Sequence, residues 1–252
     1  MRFVLVHGGF HGAWCWERTI AELEQLGHEA IALDMPAHGA RRNEPDSVAG
    51  RQATILGALQ PGDVLVGHSG GGYDITMAAD AATDRVAHCV YLAAGLPREG
   101  RTIPEAMANR NAEDGRFEAD PVGMFRHLKK ADNGGMEFVD FDATRDLFFH
   151  DCDDATARWA FDHLTPEHFG EITTIVVSTP RFWAADLPRS YIRCLQDHAK
   201  PAWLSELVAS RLGVEPLTID ASHSPFLSRP AELAALLVRA TTTEPVGPLY
   251  PD

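Results

Sequence analysis

One serine in this chain stands where a serine becomes a nucleophile. Ser69 lies in Val64-Leu65-Val66-Gly67-His68-Ser69-Gly70-Gly71-Gly72. An apolar, strand-like run leads into it, Gly67 and Gly71 flank it in G-x-S-x-G spacing, and an Ala-rich helical pattern follows. That is the context a nucleophile elbow requires: strand, sharp turn, helix. The turn strains the serine's backbone and demands small neighbours, since a Cβ at 67 or 71 would strike the adjacent strand or helix. Oγ is left exposed beside a helix N-terminus, where free N–H groups favour an anion.

A serine hydroxyl is a poor nucleophile at neutral pH. It needs a base within hydrogen-bond reach, and the base needs an acid to orient it. Behind an elbow of this kind the partners follow in the order Ser, acid, His. Among the 12 histidines, His223 fits, in Asp220-Ala221-Ser222-His223-Ser224-Pro225 between the last predicted strand and the last predicted helix. That loop lies at the strand C-terminal edge, where open α/β sheets bind ligands. Asp197, in Ile192-Arg193-Cys194-Leu195-Gln196-Asp197, follows a predicted strand and is expected to be the acid. Asp220 is the rival, but its closeness to His223 in sequence suits it to bracing its own loop. Asp186 precedes the strand, on the wrong side.

The tetrahedral intermediate also needs donors for its oxyanion. His7-Gly8-Gly9-Phe10-His11-Gly12 follows the first predicted strand, and its glycines let backbone amides face the site. The Gly9 and Gly70 N–H groups are the expected hole. Phe10, His68 and Ser224 are expected to border the substrate. His7 is expected to hold its turn, and Asp34 and His38 in Asp34-Met35-Pro36-Ala37-His38-Gly39 to brace a loop, one carboxylate and one imidazole being too few for a metal. His150-Asp151-Cys152-Asp153-Asp154 reads as a solvated helix start.

Positioning these groups falls to alternating elements. Strands are predicted over 2–6, 29–33, 63–67, 87–93, 190–195 and 215–219, and helices over 14–26, 47–59, 71–82, 202–211 and 230–240. Apolar runs without strict alternation indicate strands covered on both faces. The expected fold class is therefore α/β, a mostly parallel sheet flanked by helices. Residues 97–188 break the rhythm, being too long for a crossover and rich in aromatics. They are expected to form a helical lid, with Asp153 or Asp154 capping a helix over 154–164. The core would then be 1–96 and 189–252.

Bulk properties narrow the partners. The net charge of −14 argues against nucleic acid and anionic membranes. The 4 cysteines show no disulfide or zinc spacing, and no apolar run approaches membrane-spanning length. A soluble, cytoplasmic protein of small molecules is the expectation.

HGGFHGAWCW (7–16), ALDMPAHG (32–39), GHSGGG (67–72), CLQDHAKP (194–201) and DASHSP (220–225) occur in this order. Together they resemble the α/β-hydrolase superfamily, and within it the branch of plant methylesterases and hydroxynitrile lyases with their bacterial relatives. The resemblance implies Ser69, Asp197 and His223 as triad, Gly9 and Gly70 as oxyanion hole, no cofactor, and often a homodimer. In the lyases of that branch a threonine stands where this chain has Gly8, a glutamate where it has His68, and a lysine where it has Ser224. A lyase needs a cation for departing cyanide and a hydroxyl for the cyanohydrin, so these departures favour an esterase of small, fairly apolar aryl or methyl esters. A cyclase, thioesterase or lactonase on the same triad is the alternative, followed by a lyase or a non-catalytic small-molecule receptor.

Overall fold

The computed structural model describes residues 1–107, 120 and 122–251. β1 (Arg2–Val6) is followed by a 3-10 turn (Ala13–Trp16), α1 (Glu17–Gln25), β2 (Glu29–Leu33), α2 (Val48–Ala58), β3 (Asp63–His68), α3 (Gly71–Ala81) and β4 (Val86–Leu92). The insertion then contributes α4 (Ile103–Met107), β5 (Leu128–Lys130), β6 (Met136–Phe138), α5 (Phe141–Phe148), α6 (Asp154–His163), α7 (Gly170–Thr174) and α8 (Pro180–Ala185). β7 (Arg189–Cys194), α9 (Ala202–Leu212), β8 (Leu217–Ile219), α10 (Pro225–Ser228) and α11 (Pro230–Ala240) complete the chain.

The main sheet has 6 strands in the order β2-β1-β3-β4-β7-β8. Every pairing in it is parallel. Successive side chains on a strand point to opposite faces, and both faces here are buried. Phe3 and Leu5 of β1 join one apolar cluster with Val64, Val66 and Leu233, while Val4 and Val6 join another with Leu65, Ile75 and Leu212. This two-sided burial is why the strands read as continuous apolar runs. α1 and α11 cover one face; α2, α3, α8 and α9 cover the other.

The insertion divides. Its middle part forms a cap whose core of Phe138, Leu147, Phe149, Ala157 and Ala160 is continuous with the first cluster. Asp153 caps α6, accepting the Thr156 N–H at 2.8 Å. α8 does not belong over the mouth of the sheet: Phe182 and Leu187 are buried in the second cluster, and α8 packs against α3. The predicted first helix also divides, because Asp34 Oδ1 takes the Ala13 N–H at 2.7 Å and holds the 3-10 turn away from α1.

Candidate active site

Ser69 sits between β3 and α3 with φ +51. A left-handed backbone is costly for a residue with a Cβ and persists where the surroundings enforce it. Enforcement comes from both backbone groups: Ser69 N donates to Leu92 O at 3.1 Å, and Gly95 N donates to Ser69 O at 2.9 Å. The flanking glycines are sterically required. A Cβ on Gly67 would lie 2.6 Å from Gly71 O, and one on Gly71 would lie 2.6 Å from His7 O.

His223 and Asp197 meet from neighbouring loops. Gln196 N donates to Ala221 O at 3.0 Å, which lays the loop after β7 beside the loop after β8. Asp197 Oδ1 accepts the Ala199 and Lys200 amides at 2.9 and 2.8 Å. Its Oδ2 accepts the His223 Nδ1–H at 2.8 Å, leaving Nε2 as the basic nitrogen. Asp220 is exposed and accepts from Gln196 Nε2 at 2.6 Å, away from the imidazole. Asp186 is likewise exposed and pairs with Arg189.

Ser69, His223, Gly9, Gly70 and Phe10 line one cavity of about 360 Å³. No hydrogen bond joins Ser69 Oγ to the imidazole; such contacts commonly tighten only around substrate. The Gly9 and Gly70 N–H groups have no partner among the described residues. They lie close together, since a Cβ on Gly70 would sit 3.7 Å from Gly9 N. The walls are mostly apolar: Ile103, Met107, Met124, Phe125, Phe148, Phe169, Ile172 and Leu204. A wider groove of about 620 Å³ lies near Trp14, Asp34 and His163, but it contains neither Ser69 nor His223.

Two expected pocket residues lie elsewhere. His68 is fully buried and does not line the cavity, its Nε2–H donating to His223 O at 2.9 Å. Its ring packs on His223 and Phe226, and burial pushes its pKa well down, with the charges of His223 and His11 adding to the effect. Ser224 is fully buried and absent from the cavity wall, because α10 begins immediately after it and turns the chain inward. His7 accepts the Met35 N–H at Nε2, 3.1 Å, and its Nδ1–H donates to Gly8 O at 2.8 Å, which holds the glycine turn. Asp34 accepts the Ala13 and Ala40 amides.

The sequence reading missed a buried ionic cluster at the cavity wall. Glu167, from the cap, accepts from Arg51 Nη2 at 2.8 Å through Oε1. Its Oε2 accepts the Phe10 N–H at 3.0 Å and the His38 Nε2–H at 3.1 Å. Arg51 also binds both oxygens of Asp46 at 2.8 Å and lies 3.6 Å from Asp74 Oδ2. Burial opposes charge on Glu167, but Arg51 and His38 outweigh it and hold its carboxyl well below the usual range. His38 faces two acceptors, Glu167 and Pro36 O. It therefore carries both protons; burial would lower its pKa, yet Glu167 raises it. Asp74 goes the other way, burial raising it to about 6 against the pull of Arg51.

This cluster pins the cap to the glycine-rich loop after β1. Phe10 has φ +65, and residues on either side of Pro166 hold both of its backbone groups. Glu167 takes the N–H, and Thr165 N donates to Phe10 O at 2.8 Å. No short-range pattern could reveal Glu167, since its partners come from α2 and from the loops after β1 and β2. Lys200 was also passed over. The residue after His223 is Ser224 and no cation, yet Lys200 and Tyr73 both line the cavity. Its signal was compositional: it lies three residues after Asp197, and the only other lysines are Lys129 and Lys130.

A six-stranded parallel sheet with an elbow serine, a histidine–aspartate pair and paired free amides at one edge defines a class, the alpha/beta hydrolases. The chain belongs to the alpha/beta hydrolase family, whose model matches residues 3–236. Esterase PIR7B of Oryza sativa subsp. japonica is 40% identical over 125 residues, covering 45% of this chain and 47% of that protein. Methylesterase 7 of Arabidopsis thaliana is 30% identical, covering 94% of this chain and 95% of that protein. The chain thus spans about half the length of the rice esterase but nearly all of the methylesterase. Polyneuridine aldehyde esterase shares the fold with a TM-score of 0.79 at 23% identity, over 94% of this chain and 98% of that one. A pyrethroid hydrolase from Sphingobium faniae JZ-2 does so with a TM-score of 0.79 at 22% identity, over 96% and 97%. Among the described residues no helix is long and apolar enough to cross a membrane.

Proposed function

We propose that this protein is a serine esterase that cleaves small carboxylic esters through an acyl-enzyme, with Ser69 as nucleophile, His223 as base and Asp197 as orienting acid. The observation that carries the reading is the 2.8 Å His223–Asp197 hydrogen bond in the cavity that also exposes Ser69. His223 Nε2 takes the proton from Ser69 Oγ as Oγ attacks the ester carbonyl. The unpartnered Gly9 and Gly70 amides receive the oxyanion; such donors act strongly because they are aimed beforehand. His223 then protonates the departing alkoxide. Water, deprotonated by the same nitrogen, attacks the acyl carbon and frees Ser69.

The apolar wall of Phe125, Phe148, Phe169 and Leu204 supports a hydrocarbon-rich acyl or alcohol part. The names of the relatives, esterases and methylesterases, support methyl or aryl esters. The same reading makes the protein a cytoplasmic enzyme of small molecules, with no cofactor in the chemistry. Its test is hydrolysis of p-nitrophenyl butyrate by the wild type and by Ser69→Ala. Loss of the triad serine is expected to cost about 10⁴-fold or more in kcat. Equal rates for the two proteins would remove the assignment.

A further inference from the structure

Most charged side chains that line the cavity are held by charged groups or main-chain amides among the described residues. Arg51 is shared by Asp46, Glu167 and Asp74. Asp120, at the cavity wall, gives its two oxygens to the Met124 and Phe125 amides at 2.6 and 2.8 Å. His223 and Asp197 hold each other. Lys200 has no such counterpart. It is 7% exposed and lines the cavity. Its Nζ donates to Ala94 O at 2.9 Å, its only partner among the described residues. An ammonium has three donors, and burying one without a counter-ion is costly. Burial pulls the group down to about 8, with the more distant Asp197 opposing. Asp197 acts on it only at a distance: it makes no ion pair with Lys200, and its oxygens are turned to His223 and to main-chain amides.

A second unused donor lines the same cavity. Tyr73 is buried in the wall, and its phenol has no hydrogen-bond partner among the described residues. Its ring packs so closely on Gly95 that a Cβ there would strike the phenol carbon. The Ala94–Gly95 turn thus ties both donors to the nucleophile. Lys200 is held by Ala94 O, Tyr73 lies on Gly95, and Gly95 N holds Ser69 O at 2.9 Å.

We propose that Lys200 and Tyr73 form an anion subsite beside Ser69, which selects esters carrying a second, ionised carboxylate, the half-esters of dicarboxylic acids. The proposal rests on the esterase reading for turnover, but not for binding. The carboxylate of the half-ester supplies the charge that Lys200 lacks and accepts the Tyr73 O–H, while the hydrocarbon between its two ends lies along the apolar wall.

The test compares monomethyl glutarate with methyl pentanoate, which replaces the carboxylate by a methyl group. The wild type is expected to favour the half-ester in kcat/KM by about tenfold or more, the worth of a charged hydrogen bond. Lys200→Met should abolish most of that preference, chiefly through KM, and Lys200→Arg should restore much of it. A wild type without the preference would overturn the proposal. So would a Lys200→Met variant that loses activity on both esters alike, which is what a mere tether for Ala94 would give. Lys200→Gln makes the same comparison if the Met variant does not fold. Calorimetry on Ser69→Ala separates the two readings. Monomethyl glutarate should bind it, and Lys200→Met in that background should weaken binding about tenfold. Binding that depends on Lys200 without turnover by the wild type would keep the subsite and sink the esterase; turnover with binding indifferent to Lys200 would do the reverse.

Discussion

Two charged places on the cavity wall, around Arg51 and at Lys200, are built on opposite principles. Around Arg51, every charge has a partner from another part of the chain: Asp46 before α2, Asp74 on α3, Glu167 in the cap, with His38 closing the far side. At Lys200 the ammonium has a single hydrogen-bond partner among the described residues, the Ala94 carbonyl. Both places are buried, so both bear the cost of removing charge from water. Around Arg51 that cost is offset inside the protein, and the cluster fastens the cap to the loop bearing Gly9 and Phe10. At Lys200 it is not offset, and the imbalance is what a ligand can relieve. Paired charge fixes structure here; unpaired charge is left for recognition.

The contrast can be broken at either place, and the largest effect belongs to the paired one. Glu167→Ala would leave the buried His38 without its carboxylate, take one of three carboxylates from Arg51, and free the Phe10 N–H. It is expected to destabilise the fold by about 3–5 kcal/mol in urea titration, with a loss of kcat as the oxyanion loop relaxes. Unchanged stability would mean that the cluster does not hold the cap.

A smaller effect of opposite sign is expected at Asp74. Its folded pKa, about 6, lies above the ordinary 3.8. Its contribution is therefore fully present below the unfolded value and lost as pH rises through 6. Asp74→Asn should leave stability unaltered near pH 4 and raise it by about 1–3 kcal/mol at pH 7.5. Thermal unfolding at the two pH values reads this directly, and a variant less stable at pH 7.5 would mean that Arg51 needs all three carboxylates.

The smallest shift sharpens the contrast from the other side. Lys200 is depressed to about 8 from 10.5, so its charged form is a burden below pH 8 that is lifted as pH rises toward the unfolded value. Lys200→Met should therefore match or exceed the wild type at pH 7, by up to about 1 kcal/mol. A marked loss of stability would place Lys200 with the structural charges.

The sheet was legible because its signals are local. β1 and β3 are apolar on both faces and end at glycine turns, and the strand edges in the structure lie within a residue or two of those predicted. The Ser69 elbow was legible for the same reason: strand, glycines and helix are contiguous in sequence. His223 and Asp197 were found through order along the chain, which the parallel topology enforces. What escaped depends on convergence. Glu167, Arg51 and Asp74 meet only when cap, α2 and α3 are assembled, and no spacing in the sequence foretells it. His68 was misplaced because its ring is buried behind His11 and His223, which line the cavity in its stead. The cap was legible only in α6, with its Asp153 cap and Trp159–Phe161 periodicity. The β5–β6 hairpin is too short to give a period, and α8 carries the same aromatics as a lid helix while packing beneath the sheet.

Glu167 also bears on how this scaffold can be re-engineered. Specificity in a hydrolase with a separate cap invites exchange of that segment for another. Here the exchange would remove the one acceptor shared by Phe10, His38 and Arg51. A grafted cap without a carboxylate at that point would arrive with a new pocket and a slackened glycine turn, so the graft must bring its own anion or be made together with a neutral replacement at 38, Arg51 keeping Asp46 and Asp74.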